Sequence, residues 1–152
     1  MKLFRIIQTQ HLATAWTGAG AQIYGGRWNP PGRPVVYVTT SISLAILEML
    51  VHLQNSMLMR SYTLLSIEVS DALLDTLEVD ELAADWRSPS PPDSTQRQGE
   101  AWLAEGEHVG LRVPSVIVPT EYNVLLNPQH PDFAQLLDSV EREPMMFDPR
   151  LQ

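Results

Sequence analysis

The sequence predicts an α+β fold: a single domain, residues 1–152, with a mixed β-sheet core and flanking helices. Strand-like and helix-like hydrophobic patterns follow one another without the strand–helix–strand regularity of a doubly wound fold. A hydrophobic fraction of 44% and a charged fraction of 18% suit one domain that buries its own core. Because the chain has no cysteine, disulfides and thiolate zinc sites are excluded.

The N-terminal half is predicted to contain two strands and one helix. Residues 2–7 predict a strand that is apolar on both faces and therefore central in the sheet. Residues 18–32 predict a long glycine-rich loop, and residues 35–38 predict a buried strand. Thr40 or Ser41 is expected to cap a helix from residue 43 to about residue 53. The apolar stripe of this helix is predicted from residues at helical spacing: Leu44, Leu47 and Val51.

The C-terminal half is predicted to alternate short strands and helices. Residues 62–69 alternate in polarity and predict a half-buried strand with Ser66 facing outwards. Pro114 interrupts a strand predicted at residues 111–119, which places Ser115 at a kink or strand start. The other predicted elements are a turn and short helix at 71–85, a polar loop at 86–98, a helix at 95–105, a strand at 124–126 and a C-terminal helix at 132–142.

The net charge of −8 argues against a nucleic-acid substrate, since such binding rests on a basic surface. The longest apolar stretches are far shorter than the ~20 residues that cross a bilayer, and the N-terminus lacks the apolar region of a signal peptide. We therefore expect a cytoplasmic protein without membrane contact or direct nucleic-acid binding.

The stretch Tyr24-Gly25-Gly26-Arg27-Trp28-Asn29 is the most informative part of the chain. Adjacent glycines allow the backbone to approach a ligand closely, with amide groups free to point at an anion. Arg27 adds a planar, charged fork that matches phosphate oxygens. The stretch suits binding of a phosphorylated small molecule, although a rigid turn with a surface arginine explains it equally well.

Two charged residues fall in apolar surroundings. Arg5 lies between Leu3 and Ile7 on one face of the first strand, and it needs an anion or a structural ion pair there. Glu48 lies beside the apolar stripe of its helix, one turn before His52. The carboxylate of Glu48 therefore either pairs with an arginine or lines a pocket.

Several catalytic motifs are absent from the sequence. It contains no P-loop, no complete dinucleotide-binding fingerprint and no nucleophile elbow. No metal site is predicted, because metal-ligand spacing is lacking among the histidines: His11, His52, His108 and His130. Packing in the core or in loops is predicted for three tryptophans: Trp16, Trp86 and Trp102.

Taken in order, these motifs resemble the RES-domain toxins of RES–Xre toxin–antitoxin pairs. The family is named for an arginine, a glutamate and a serine, which match Arg27 in Gly-Gly-Arg-Trp-Asn, Glu48 in Leu-Glu-Met-Leu-Val-His and Ser115 in Val-Pro-Ser-Val-Ile-Val-Pro. Further matches are Arg5, residues 18–21, Tyr37 and the stretch 123–131, which begins at Asn123. The resemblance covers nearly the whole chain.

The resemblance implies an ADP-ribosyltransferase-like fold that binds NAD as substrate, without a further cofactor, and cleaves its nicotinamide–ribose bond by hydrolysis or phosphorolysis. It assigns catalysis to Glu48, Arg27 and Ser115. It assigns NAD binding to Arg5, Arg27, Tyr37, Ser115 and Asn123. Transfer of ADP-ribose to a protein and a non-catalytic nucleotide-binding module remain alternatives. The resemblance also implies a partner, a DNA-binding Xre-family antitoxin that covers the active site.

Overall fold

Seven strands form one mixed sheet in the computed structural model of the chain, which describes residues 1–53 and 60–151. The strands are β1 (Lys2–Gln8), β2 (Val36–Thr39), β3 (Tyr62–Glu68), β4 (Leu74–Thr76), β5 (Gly110–Pro114), β6 (Tyr122–Leu126) and β7 (Glu141–Met145). The α-helices are α1 (Ala19–Tyr24), α2 (Ile42–Leu50), α3 (Asp93–Glu105) and α4 (Phe133–Leu136). The predicted α+β class is confirmed, and residues 54–59 and Gln152 of the predicted domain lie outside the described residues.

The sheet is split between its two central strands. Its order is β4-β5-β6-β2-β1-β3-β7, and neighbouring strands are antiparallel except for β4 with β5. Strand β1 is interior, as predicted, and pairs with β3 along its whole length. It pairs with β2 only through Phe4 and Thr39. Beyond that pair β1 and β2 diverge, which leaves space for side chains and ligands between them.

Both faces of the sheet are covered by apolar packing. On one face Phe133 and Leu136 of α4 join the main cluster of strand residues. On the other face Trp102 of α3 packs with Trp28 and Trp86. The prediction that Trp86 and Trp102 pack in the core is confirmed, and the partly buried Trp16 also packs against core residues.

Strand β3 is buried on both faces rather than on one. Ser66, which was predicted to face outwards, is only 7% exposed, and the neighbouring Thr63 is also buried. The prediction fails because β7 pairs along the outer side of β3. A 3₁₀ turn at Leu137–Ser139 also covers β3, and the hydroxyl of Ser139 accepts a hydrogen bond from the Glu68 amide at 3.0 Å.

The predicted C-terminal helix at residues 132–142 is wrong from residue 140 onwards, since α4 is continued by a 3₁₀ turn only as far as Ser139. Helix α4 ends at Leu136, and residues from Glu141 onwards form the edge strand β7. Pro144 cannot continue a helix, whereas it is tolerated on an edge strand, where it lies opposite Thr63. Pairing with β3 therefore overrides the local helical pattern.

Four other predicted elements differ from the structure. The predicted loop at 18–32 contains the short helix α1, and the stretch 71–85 contains strand β4 between two 3₁₀ turns. The strand predicted at 111–119 ends at Pro114, so Ser115 follows directly after β5, close to where it was expected. The helix predicted from residue 95 begins at Asp93, within the predicted polar loop.

Candidate active site

Glu48 lies where two cavities meet. The first cavity, of about 370 Å³, is lined mainly by residues of β1, β2 and α2. The second, of about 410 Å³, is lined by residues of the Gly-Gly-Arg-Trp-Asn loop and by two turns, and it includes Arg27. The cavities share four lining residues: Tyr37, Glu48, His52 and Asn123. These volumes are those of ordinary small-molecule sites.

Helix α2 directs Glu48 towards the cavities, and its buried face is not the apolar stripe that the sequence predicts. Ser41 caps the helix as expected, since its hydroxyl accepts the Leu44 amide at 3.1 Å. Leu44 and Ala45 are buried, whereas Leu47 and Val51 are 39% and 60% exposed. The inward face therefore runs through Leu44 and Ala45 to the half-buried Glu48. The alternative that Glu48 lines a pocket is the correct one.

Two side chains hold one oxygen of the Glu48 carboxylate. The Ser115 hydroxyl donates to Oε1 at 2.9 Å, and the Asn123 amide Nδ2 donates to the same oxygen at 2.7 Å. The Ser115 oxygen in turn accepts the backbone amides of Ile117 and Val118, both at 3.1 Å. This network fixes the rotamer of Glu48, and no group among the described residues donates a hydrogen bond to its second carboxylate oxygen, Oε2.

Ser115 therefore lies behind the glutamate rather than on the wall of the cavity. It is 0% exposed, and its single hydroxyl hydrogen is directed at Glu48. The expectation that Ser115 contacts a substrate does not fit this position. Asn123, in contrast, lines both cavities, and its Oδ1 has no hydrogen-bond partner among the described residues.

We expect Ser115→Ala to lower both stability and turnover. The substitution leaves two partly buried amides without their acceptor, which costs about 1 kcal/mol, and it frees the Glu48 carboxylate to rotate. Thermal unfolding and steady-state kinetics measure the two effects, with the turnover number falling more than KM rises. The control is Ser43→Ala, which changes an exposed serine of α2, the helix that carries Glu48. It should match the wild type in both assays.

Arg5 bridges the split in the sheet. Its Nη1 donates to the carbonyl oxygen of Tyr37 at 2.8 Å, so a side chain replaces the strand pairing that is missing there. The Nε of Arg5 is buried and has no hydrogen-bond partner among residues 1–53 and 60–151. No ion pair with a described carboxylate accounts for this arginine. Burial lowers the pKa of Arg5 to about 10, so it is a cation at neutral pH.

A third cavity, of about 550 Å³, lies on the other side of Arg5. It shares Arg5, Tyr37 and Met49 with the first cavity, and its far wall is made by the small residues at 18–21. The first cavity thus adjoins both others: it shares Arg5 with the third and Glu48 with the second, and Tyr37 lines all three. Together the three cavities offer space for a ligand larger than any one of them holds.

The Gly-Gly-Arg-Trp-Asn loop is closed on itself, which agrees with the predicted alternative of a rigid turn rather than with glycine amides that point at an anion. The amide of Gly25 donates to Ala21 and that of Gly26 to Asn29, both at 2.9 Å, so neither is free to point at an anion. Asn29 is 0% exposed and accepts the Tyr37 hydroxyl, which also accepts the Trp28 amide. Burial raises the pKa of Tyr37, so its hydroxyl stays neutral and remains a donor.

Arg27 is the cation of the second cavity. Its guanidinium donates to the carbonyl oxygens of Trp86 at 3.0 Å and Pro89 at 3.4 Å, so part of the fork is used by the protein itself. Partial burial lowers the pKa of Arg27, and the nearby negative charge of Glu48 opposes that shift. The structure thus brings Arg27, Glu48, Tyr37 and Asn123 to one cavity.

Sequence reasoning missed the residues that support this loop from α3. The hydroxyl of Thr95 donates to the Arg27 carbonyl at 2.6 Å, and Gln96 donates to the Gly26 carbonyl at 3.0 Å. Gly99 lets the helix backbone touch the carbonyl of Trp28, since a Cβ there would overlap it. An isolated glycine within a helical pattern was the available signal for this close approach. His52, which lines both cavities, was noted only as a neighbour of Glu48.

A glutamate held by two donors lies at the junction of two cavities, each of which also contains an arginine, and together they form a partly open site of small-molecule size in an α+β protein. The chain belongs to the RES domain family, whose family model matches residues 2–148. No helix among the described residues is long and apolar enough to span a bilayer.

Relatives of the chain carry toxin names. It is 44% identical over 151 residues to Toxin Res of Photorhabdus laumondii, covering 99% of this chain and 97% of that protein. It is 39% identical over 138 residues to the Prs ADP-ribosylating toxin of a Sphingobium species, covering 89% and 85%. A chain from the crystal structure of the M. tuberculosis MbcT–MbcA toxin–antitoxin complex shares the fold, with a TM-score of 0.74, 20% identity, and coverage of 95% and 84%.

Proposed function

We propose that this protein is a toxin that degrades cellular NAD by cleaving the bond between nicotinamide and ribose. The single observation that supports this most strongly is the Glu48 carboxylate, which two donors hold in place and which lines two adjoining cavities that also contain Arg5 and Arg27. NAD is elongated, carries two phosphates and passes through a positively charged ribose when the bond breaks. The toxin names of the relatives agree with this function.

The reaction balances with water or phosphate as acceptor. The bond between ribose C1 and the nicotinamide nitrogen breaks, its electron pair stays with nicotinamide, and nicotinamide leaves as a neutral molecule. An oxygen of the acceptor forms the new bond to C1, and the acceptor proton is released. In this reaction Glu48 stabilises the cationic ribose, because a fixed carboxylate in a partly enclosed site interacts strongly with developing positive charge.

The other residues of the site bind NAD or position Glu48. Arg5 and Arg27 hold the phosphates and the adjacent ribose through charge-assisted hydrogen bonds. Tyr37 offers its ring face to the nicotinamide, and its hydroxyl stays bound to Asn29. Asn123 uses Nδ2 to position Glu48 and Oδ1 to accept from a ribose hydroxyl or the carboxamide. Ser115 acts through Glu48 alone.

Incubation of the purified protein with NAD, with and without phosphate, tests the function. Free nicotinamide with ADP-ribose indicates hydrolysis, and ADP-ribose 1″-phosphate indicates phosphorolysis. Intact NAD under both conditions would contradict the proposal and favour a binding module.

A second candidate is ADP-ribosylation of a protein, which similarity to the Prs ADP-ribosylating toxin favours. Radiolabel transferred from NAD to a protein identifies that activity.

We expect Arg5→Lys to weaken NAD binding by roughly tenfold or more, because it removes charge-assisted hydrogen bonds worth ~1.5–3 kcal/mol. Lysine keeps the positive charge in the split but cannot bridge to Tyr37 and also contact a ligand. Calorimetric titration with NAD measures the change, and the melting temperature reports any loss of fold. Unchanged affinity in a folded variant would show that Arg5 does not contact the ligand.

An antitoxin partner of the Xre family is the other part of the proposal. An enzyme that destroys NAD needs a tight inhibitor, with Kd at or below ~1 nM, corresponding to about −12 kcal/mol. The MbcT–MbcA neighbour is a toxin–antitoxin complex, in agreement with such a partner. Expression of the chain alone should stop growth and deplete NAD, and co-expression with an adjacent Xre-type protein should restore both. Growth arrest with an intact NAD pool would favour modification of a protein instead.

A further inference from the structure

The third cavity, of about 550 Å³, has no part in the bond cleavage described above. Arg5 lines it together with the first cavity, so a ligand phosphate held by Arg5 lies where these two cavities join. The buried Nε of Arg5 has no hydrogen-bond partner among the described residues, and no described carboxylate forms an ion pair with this arginine. A phosphate at Arg5 leaves the third cavity free for the group on its far side.

One wall of the third cavity is polar. It is formed by the end of β1 and by the 3₁₀ helix Thr9–Thr14, which follows directly. Because a 3₁₀ helix has three residues per turn, side chains three positions apart lie on one face. Gln8, His11 and Thr14 have this spacing, and all three line the cavity. Amide, imidazole and hydroxyl groups on one face suit the hydroxyls of a ribose and the polar edge of a base.

Another wall is flat and comes from α1. Gly20 and Tyr24 lie four residues apart, on one face of this helix, and both line the cavity. A Cβ at residue 20 would meet no atom within 4 Å, so the space in front of the helix is empty there. The Tyr24 side chain is 83% exposed, which leaves its ring free to stack on a ligand. A bare backbone followed by an exposed ring suits a flat heteroaromatic base.

Helix α1 is held in this position by the loop that follows it. The Gly32 amide donates to the Gln22 carbonyl at 2.8 Å. The Asn29 side-chain amide donates to the Ala21 carbonyl at 2.9 Å. The flat wall is therefore formed before a ligand binds, and it is fixed relative to the Gly-Gly-Arg-Trp-Asn loop of the second cavity.

We propose that the third cavity binds the second nucleoside of the substrate, the adenosine of NAD, and that Gly20 and Tyr24 make the protein selective for a dinucleotide over a mononucleotide. The phosphates bind at Arg5, the base stacks on α1, and the ribose faces the polar wall. This inference rests on the proposed NAD cleavage and adds to it the selectivity and the residues of α1 that determine it.

The test compares NAD with nicotinamide mononucleotide as substrates of the purified protein. Both release nicotinamide from the same ribose, so the ratio of their kcat/KM values measures what the second nucleotide contributes. The wild type should prefer NAD by about tenfold or more, and Gly20→Leu, which fills the empty space, should lower the ratio about tenfold, as for one lost base-stacking contact. Ala104→Leu, at an exposed alanine of α3, is the matched control and should keep the wild-type ratio.

A second variant makes the test independent of how the new leucine packs. Tyr24→Ala removes the exposed ring and should lower the ratio in the same direction, mainly by raising KM for NAD. Its control is Ile23→Ala, at the exposed neighbouring residue of α1, which lines none of the three cavities. Melting temperatures report whether each variant folds.

Calorimetric titration with ADP-ribose separates this inference from the proposed function. Gly20→Leu and Tyr24→Ala should each weaken ADP-ribose binding by about tenfold. Equal cleavage of both substrates by the wild type, or wild-type ratios in both variants, would overturn the role of the third cavity alone. Intact NAD with the wild type would contradict the proposed function, and the ADP-ribose affinities would then decide the subsite: unchanged affinity in both variants would overturn it as well.

Discussion

Glu48→Gln should fold normally and lose NAD cleavage by at least about 30-fold, equivalent to ~2 kcal/mol of transition-state stabilisation. Glutamine keeps the shape of the side chain, and its carbonyl oxygen can still accept from Ser115 and Asn123. The group that replaces Oε2 is a neutral amide, which cannot stabilise a cationic ribose. The rate of NAD cleavage is measured by monitoring the release of nicotinamide by chromatography. Toxicity on expression should fall in parallel.

A matched control is Glu100→Gln, which removes a carboxylate from an exposed position of α3. It changes the net charge by the same amount as the site variant, so it separates a local effect from a general one. We expect wild-type turnover from this control. Wild-type turnover by a well-folded Glu48→Gln protein would remove Glu48 from the mechanism.

Gly99→Ala should destabilise the fold by ~1–3 kcal/mol, the usual range for overpacking. A Cβ at residue 99 would overlap the carbonyl oxygen of Trp28 and lie 2.8 Å from its carbonyl carbon. Both groups are backbone atoms, so neither can rotate away as a flexible side chain would. The overlap outweighs the ~1 kcal/mol by which alanine is normally preferred to glycine in a helix. Chemical denaturation measures the difference in free energy of unfolding.

The control for this prediction is Gly20→Ala, another glycine within a helix. A Cβ at residue 20 has no neighbouring atom within 4 Å, so alanine there should leave the free energy of unfolding unchanged or slightly raise it. The displaced loop in Gly99→Ala should also weaken catalysis, because residue 28 is adjacent to Arg27. Equal stability of both variants and the wild type would show that α3 is not in tight contact with the Gly-Gly-Arg-Trp-Asn loop at residue 99.

Much of the fold could be predicted from local patterns. The interior strand at residues 2–7 has apolar side chains on both faces, and the Ser41 cap follows from a serine just before a helical pattern. The C-terminal half was harder, because β7 exists only through its pairing with β3. Edge strands of this kind have weak local signals, and a helical pattern at 132–142 was the stronger one.

The candidate site, like the fold, has features that the sequence predicts and features that depend on tertiary contacts. Local context singled out Arg5, Arg27 and Glu48 as candidates. The family resemblance added Tyr37, Ser115 and Asn123. Neither could distinguish a residue that faces the ligand from one that stands behind it. Ser115 is buried behind Glu48, and the Gly25 and Gly26 amides are used within their own loop. The roles of Thr95, Gln96 and Gly99 depend on contacts with residues far away in the chain.

The sequence by itself determined the α+β class and the set of polar residues placed in apolar surroundings, because both depend on the order of polar and apolar side chains along the chain. The tertiary structure alone decided the split between β1 and β2, the orientation of Glu48 by Ser115 and Asn123, and the support of the Gly-Gly-Arg-Trp-Asn loop by α3. Each of these depends on hydrogen bonds between residues separated by tens of positions. Their distances are fixed only when the sheet has formed and its two faces are packed.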